Sequence, residues 1–299
     1  MEDLLDKGEI ASCVTMHYNF PIGVSTVGRV ITPARGREML LATTTGTSAT
    51  NRVEAMVRNT LYGIATAKSL GIENPTVGIA NVEGARQVEK ILLDLKGNGY
   101  NFEFATSQRA DGGSVMRGND LLMATPDVMV VDSLTGNLFM KVFSAFNTGG
   151  DYEASGYGYG PGIGEDYGRR ILILSRASGA PVVANALKYA YEIAKGKVNE
   201  IAKLEYEKAN SAKLGELLSK LKVKKEGSNT EEVKVPDKEA VTSQISGVDI
   251  LDLEDATKVL WKHGIYAESG MGCTGPIVLV NSSKKPKAKE ILKDAGYIS

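Results

Sequence analysis

The sequence predicts an α/β protein: an open, mostly parallel sheet in three layers with helices on both faces, then a long helical segment and a small C-terminal α-β-β-α unit. Three observations predict it. Apolar runs of strand length alternate with helical periodicities up to about residue 196. Residues 181–223 are dense in Ala, Leu, Lys and Glu. Residues 240–299 show strand and helix patterns of their own, behind a charged stretch.

In chain order, residues 11–16 and 39–44 read as buried strands. Residues 48–70 read as a helix, with Ala55, Val57, Leu61, Ile64 and Ala65 on one face and Gly71 as its stop. A strand at 76–80, a helix from 85 to 95 ended by Gly97, and strands at 102–104 and 128–131 follow. The last is wholly apolar, as in a parallel sheet. A glycine-dense loop spans 149–164, ahead of a strand at 170–174. The helical stretch then carries Gly196 and Gly215 as breaks. Domain boundaries follow from this: an α/β domain with trailing helices over 1–222, a charged linker over 223–239, and a C-terminal unit over 240–299. Between Lys222 and Glu239 five lysines face five acids with no aromatic residue, the composition of a solvated linker. In the last unit Asp252 caps a helix that ends before Gly264. Strands at 265–268 and 277–280 flank a glycine loop, and a Lys-rich helix closes the chain.

Composition narrows the function. Lys plus Arg is 35 against 36 acids, so the net charge of −1 speaks against a nucleic-acid grip or a polybasic membrane anchor. No apolar run approaches the length of a membrane helix, and the acidic start is unlike a secretory signal. Two distant cysteines, Cys13 and Cys273, exclude a disulfide framework and a cysteine-based metal site, and point to a reducing cytoplasm. No cofactor motif is present. Across 156–164 no register gives Gly-x-Gly-x-x-Gly, and no Gly-Lys-Ser/Thr follows; that stretch reads as a mobile, tyrosine-bearing loop over a site, or an oligomer contact.

Four segments can carry chemistry. Cys273 sits among Gly270, Gly272 and Gly275. Missing Cβ atoms let a substrate approach the sulfur, and converging N–H groups in such a turn can hold an oxyanion. The plainer reading is a small residue filling a tight turn. His263, ten residues earlier, suits a general base, or simply a helix C-terminus. Thr45, Gly46, Thr47 and Ser48 join a strand to a helix start, a ready phosphate cradle or an ordinary capped helix. Asp132, Thr135, Gly136 and Asn137 repeat that arrangement after another apolar strand, where open α/β sheets place ligands. The Lys-rich helix over 284–293 reads as a solvated face rather than a dock for an acidic partner.

The run 42–48, the segment 71–84 and the stretch Val130-Val131-Asp132-Ser133-Leu134-Thr135-Gly136-Asn137 together resemble the phosphate acyltransferase family of phospholipid synthesis, PlsX, with Ser133-Leu134 departing from its Asp-Gly-Phe-Thr-Gly-Asn pattern. That resemblance covers about residues 5–200 and implies a PlsX/phosphotransacetylase-like fold. A tail bearing Glu268 to Pro276 is similar to the family of α subunits of component C of glycine/sarcosine/betaine reductase. Against both families the chain lacks the opening strands of the sheet, as a shortened chain would. The resemblance implies an acetyl acceptor at Cys273 and two protein partners, the selenoprotein component A and the component C β subunit, within an oligomer. It also implies inorganic phosphate as a substrate, with no cofactor. A carboxymethyl group on selenium becomes an acetyl thioester, which phosphate releases as acetyl phosphate. Two rival readings stand beside it: a plain phosphate acyltransferase, and a non-catalytic scaffolding subunit.

Overall fold

The computed structural model describes residues 1–110, 112–226, 233, 235–248, 252–272 and 275–298. They form two compact units, residues 1–82 with 91–219, and residues 83–90 with 220–299.

The first unit is built on a nine-stranded sheet. Its strands are β1 (Cys13–Thr15), β2 (Val24–Ile31), β3 (Glu38–Thr47), β4 (Thr76–Ala80), β5 (Glu103–Phe104), β6 (Val115–Met116), β7 (Val128–Val130), β8 (Gly160–Ile163) and β9 (Ile171–Ile173). They run in the order β1-β9-β8-β2-β3-β7-β4-β5, with β6 also on β4. The stretch from β3 through β7 and β4 to β5 and β6 is parallel throughout. Its apolar runs follow from burial on both faces. On the other side β2 pairs antiparallel with β3 and β8, and β8 with β9.

Helices cover both faces. Helix α2 (Arg52–Ser69) lies on one, where a Cβ at Gly63 would fall 2.3 Å from Val128 Cγ1 and 3.1 Å from the Ala42 methyl. Helix α5 (Ser133–Ala145) covers the other with Met140 and Phe143, which pack on Met39, Leu41, Met129 and Val131. Of the trailing helices α6 (Ala180–Lys195), α7 (Val198–Ser211) and α8 (Leu214–Glu226), α7 packs outside α2. There Tyr62 meets Tyr206, and Lys68 pairs with buried Glu205 at 2.8 Å. The breaks between these helices fall at Gly196 and at Lys213, whose φ is +67°.

Two strands escape the sequence reading. Strand β2 mixes Ser, Thr, Gly and Arg with its valines, so it shows no apolar run. Strand β8 lies inside the glycine-dense stretch, which is therefore not the expected mobile loop. A Cβ at Gly160 would fall 1.7 Å from the Val27 carbonyl oxygen, so glycine there permits strand-to-strand approach. Tyr157 and Tyr159 are buried: Tyr157 donates to Glu38 and Tyr159 to Glu153.

In the second unit β10 (Ser243–Ser246), β12 (Gly275–Val280) and β11 (Ala267–Gly272) form an antiparallel sheet in that order. Helices α9 (Leu253–Lys262) and α10 (Lys285–Asp294) pack Leu253, Ala256, Leu260, Ala288 and Leu292 against Val278 and Val280. Strand β10 adds a third strand to the expected α-β-β-α pattern. Asp252 stands at the N-cap of α9 without a side-chain capping bond; its carboxylate accepts from Gln87 Nε2 at 3.0 Å instead.

Asp120, on the short helix α4 (Gly118–Met123), shows how a buried acid is kept charged in the first unit. Burial pushes its carboxyl upward, but the Arg117 and Gln108 N–H groups and the Ser107 and Thr125 hydroxyls donate to it and hold it below its ordinary value. Such a group contributes stability above its unfolded pKa of about 3.9, which is lost as pH falls through the folded value. Asp120→Asn is expected to cost about 1–3 kcal/mol at neutral pH and to flatten the acid limb of stability. Urea unfolding between neutral pH and pH ~3 checks both.

Candidate functional site

The parallel strands β3, β7, β4 and β6 end on one side of the sheet, where ligands of open α/β proteins bind. Two of the predicted segments meet there. After β7, Asp132 caps α5: its carboxylate accepts from the Leu134 and Thr135 N–H groups at 3.1 Å each and from the Thr135 hydroxyl at 2.7 Å. Gly136 in the first turn lies on β3, where its missing Cβ would stand 1.7 Å from the Thr43 carbonyl oxygen. Asn137 Nδ2 donates to the Thr44 carbonyl at 3.1 Å.

The threonine run differs from its expected form. Thr45, Gly46 and Thr47 are not a turn into a helix; they extend β3, with Gly46 opposite Ser25 and Thr47 opposite Val24. A Cβ at Gly46 would fall 2.6 Å from the Val24 carbonyl, and its φ of +82° also demands glycine. Helix α2 starts only at Arg52, with Asn51 as its N-cap accepting from Glu54 N. The Ser48 hydroxyl donates to Asn59 Oδ1 at 2.6 Å and faces inward. So the run is not itself a helix terminus: Gly46 and Thr47 pair with β2, and Thr43 to Thr45 lie in a register shift opposite Thr26. Just before the run, the Thr44 hydroxyl pairs with that of Thr26, and the Thr43 hydroxyl donates to the Thr26 carbonyl.

Sequence reasoning missed two features. One is Asn59, buried on α2, which accepts from Ser25 and Ser48 and donates to the Val131 carbonyl, joining β2, β3 and β7. The available signal was an amide on the inner face of an apolar helix. The other is a cavity of about 210 Å³ at the ends of β4, β6 and β7. Ala80, Val82, Met116, Leu121, Met129 and Phe139 give it apolar walls, while Asn81 and Arg117 supply polarity. Among the described residues, Arg117 is its one charged wall residue. Nothing in a single sequence brings β4, β6 and α5 together, so the cavity was not legible.

In the second unit His263 ends α9. Its Nδ1–H donates to the Val259 carbonyl at 2.9 Å and the side chain is exposed, which leaves only Nε2 for a proton. Gly270, Gly272 and Gly275 belong to the β11–β12 ladder, with Gly270 opposite Ile277 and Gly272 opposite Gly275. Cys273 lies outside the described residues. Cys13, in β1, is half-buried and its thiol is pushed up by burial, in keeping with an inert side chain. Among the described residues there is no cluster of metal-ligating side chains, and no helix is long and apolar enough to cross a membrane.

A mostly parallel α/β body with a cavity at its strand ends defines the fold class and leaves the chemistry to the comparisons. The model of a family described as fatty acid synthesis protein matches residues 1–279, and the chain belongs to that family. The chain is similar to the phosphate acyltransferase of Fervidobacterium nodosum, 28% identical over 140 residues, which is 46% of this chain and 40% of that protein. The phosphate acyltransferase of Thermotoga neapolitana is 33% identical over 102 residues, 32% of this chain and 28% of that one. The glycine/sarcosine/betaine reductase complex component C subunit alpha of Peptoclostridium acidaminophilum is 67% identical over 300 residues, which span all of this chain and 78% of that protein. The resemblance of body and tail to these two groups is borne out.

The Asn137 tether yields a test. Asn137→Ala should lower stability by about 1 kcal/mol, roughly 2–4 °C in thermal midpoint. Asn137→Asp should cost more, because a carboxylate then faces the Thr44 carbonyl oxygen. Thermal unfolding of both variants checks the order.

Proposed function

We propose that the chain is the acetyl-handling subunit of a glycine/sarcosine/betaine reductase complex. In this reading Cys273 holds as a thioester an acetyl group made from the carboxymethyl group of the selenoprotein partner: the C–Se bond becomes C–H while the selenium and a thiol of that partner are oxidised to a Se–S bond, and one carboxylate oxygen leaves as water when the Cys273 sulfur bonds to the carbonyl carbon. A phosphate oxygen then bonds to the thioester carbonyl carbon, the C–S bond breaks, the Cys273 thiolate leaves, and acetyl phosphate is released. The β subunit of component C and the selenoprotein are the partners this implies.

The observation that carries the reading is 67% identity to a component C α subunit along the whole chain, tail included. Likeness of the body to phosphate acyltransferases supports the phosphate half of the reaction. The body's chemistry supports it differently from the expected cradle. The Asp132 carboxylate already takes the first N–H groups of α5, and its charge repels a second anion there. In this proposal Arg117 and Asn81, on the wall of the apolar cavity, attract phosphate, and Thr135 and Asn137 stay as the rigid frame of the neighbouring strand ends. His263 stays in the proposal as a proton carrier through Nε2.

Incubation of the chain with acetyl phosphate, followed by intact mass measurement and peptide mapping, tests the thioester. The expected result is one acetyl group on Cys273, absent in Cys273→Ala and removed by added inorganic phosphate. No label on the wild-type chain would overturn the proposal. If Cys273→Ala retained full acyl transfer to phosphate, the plain acyltransferase reading would replace it.

A further inference from the structure

Asp120 stands behind the wall of the strand-end cavity rather than on it. Short helix α4 supplies Arg117, at its N-cap, with Gly118 and Leu121 to that wall, while Asp120 is 1% exposed and outside the lining. Each oxygen of its carboxylate takes two donors. Oδ2 accepts from the Ser107 hydroxyl at 2.7 Å and the Arg117 N–H at 3.0 Å, and Oδ1 from the Gln108 N–H at 2.9 Å and the Thr125 hydroxyl at 3.3 Å. One acid thus ties the chain at 107–108, at 117 and at 125, and the Arg117 main chain is one of its direct partners.

A helix of six residues cannot fix its own first turn, because helices this short are marginal without outside contacts. What is bound to Asp120 therefore decides where the Arg117 main chain sits. Hydrogen bonds to a charged acceptor are short and roughly twice as strong as neutral ones, which suits a carboxylate to that task. Beside Arg117 the wall is open: a Cβ on Gly118 would meet nothing within 4 Å. An anion can approach Arg117 there, and its affinity depends on how closely the guanidinium is held in place before it arrives. We propose that Asp120 is a positioning residue for inorganic phosphate: by fixing the Arg117 main chain it sets Arg117 on the cavity wall and raises the affinity of that wall for the anion. The proposal rests on the reading of Arg117 and Asn81 as the groups that attract phosphate, and not on the thioester at Cys273. An asparagine in place of Asp120 presents hydrogens where one oxygen accepted, so two of the four bonds are lost with almost no change of shape.

Calorimetric titration of the full chain with inorganic phosphate tests this in the wild type, Asp120→Asn, Arg117→Gln and the double variant, each checked for folding by circular dichroism. The expected result is a dissociation constant raised about tenfold by either substitution, and a double variant no weaker than Arg117→Gln alone, because a displaced glutamine has no charge to lose. Should Asp120→Asn fail to fold, Thr125→Val removes one donor and should weaken phosphate about threefold. An Asp120→Asn or Thr125→Val chain with a lowered thermal midpoint and an unchanged dissociation constant shows a purely structural acid and overturns the positioning role alone. So does the same loss persisting in full on top of Arg117→Gln. A wild-type chain that takes up no phosphate, or an Arg117→Gln variant that binds it as tightly, overturns the cavity's phosphate role and this proposal with it, whatever label Cys273 carries.

Discussion

At Gly136 the first turn of α5 approaches β3 so closely that one added carbon would sit 1.7 Å from the Thr43 carbonyl oxygen. Much of the first unit depends on that approach. It lets Asn137 reach the Thr44 carbonyl and seats Met140 and Phe143 on the sheet. It also puts Phe139 on the wall of the strand-end cavity. On the other face Gly63 does the same for α2 against Val128 and Ala42. The middle of the sheet is thus clamped between two helices, each admitted by a glycine, and the Val131 and Thr44 carbonyls accept from Asn59 and Asn137.

The parallel half of the sheet was legible because burial on both faces writes itself as short apolar runs. The helix over 85–97 and the strand over 76–80 stand where periodicity puts them. The antiparallel strands β2 and β8 were not, because β2 interrupts its valines with Ser, Thr, Gly and Arg and β8 is Gly-Pro-Gly-Ile, so neither shows an apolar run. The threonine run misled for a related reason. A strand end, a glycine and hydroxyls do precede a helix, but Gly46 and Thr47 continue the strand alongside β2 and the helix starts only at Arg52. In the Asp132 segment the acid itself accepts from the first N–H groups of α5.

The same physics separates the two units. The body places polarity at its strand ends through Arg117 and Asn81 beside apolar walls. In the tail, Gly270, Gly272 and Gly275 pair within the β11–β12 ladder. The identity that spans both units is why the tail enters the proposed chemistry at all.

The most direct measurement is the thermal unfolding of Gly136→Ala, read beside acetyl phosphate formation by the assembled complex. Seating of α5 on the Thr43 carbonyl as the organising contact predicts a fall of about 5 °C or more, since one methyl must displace backbone, together with loss of turnover. A midpoint and a rate equal to those of the unsubstituted chain would contradict it.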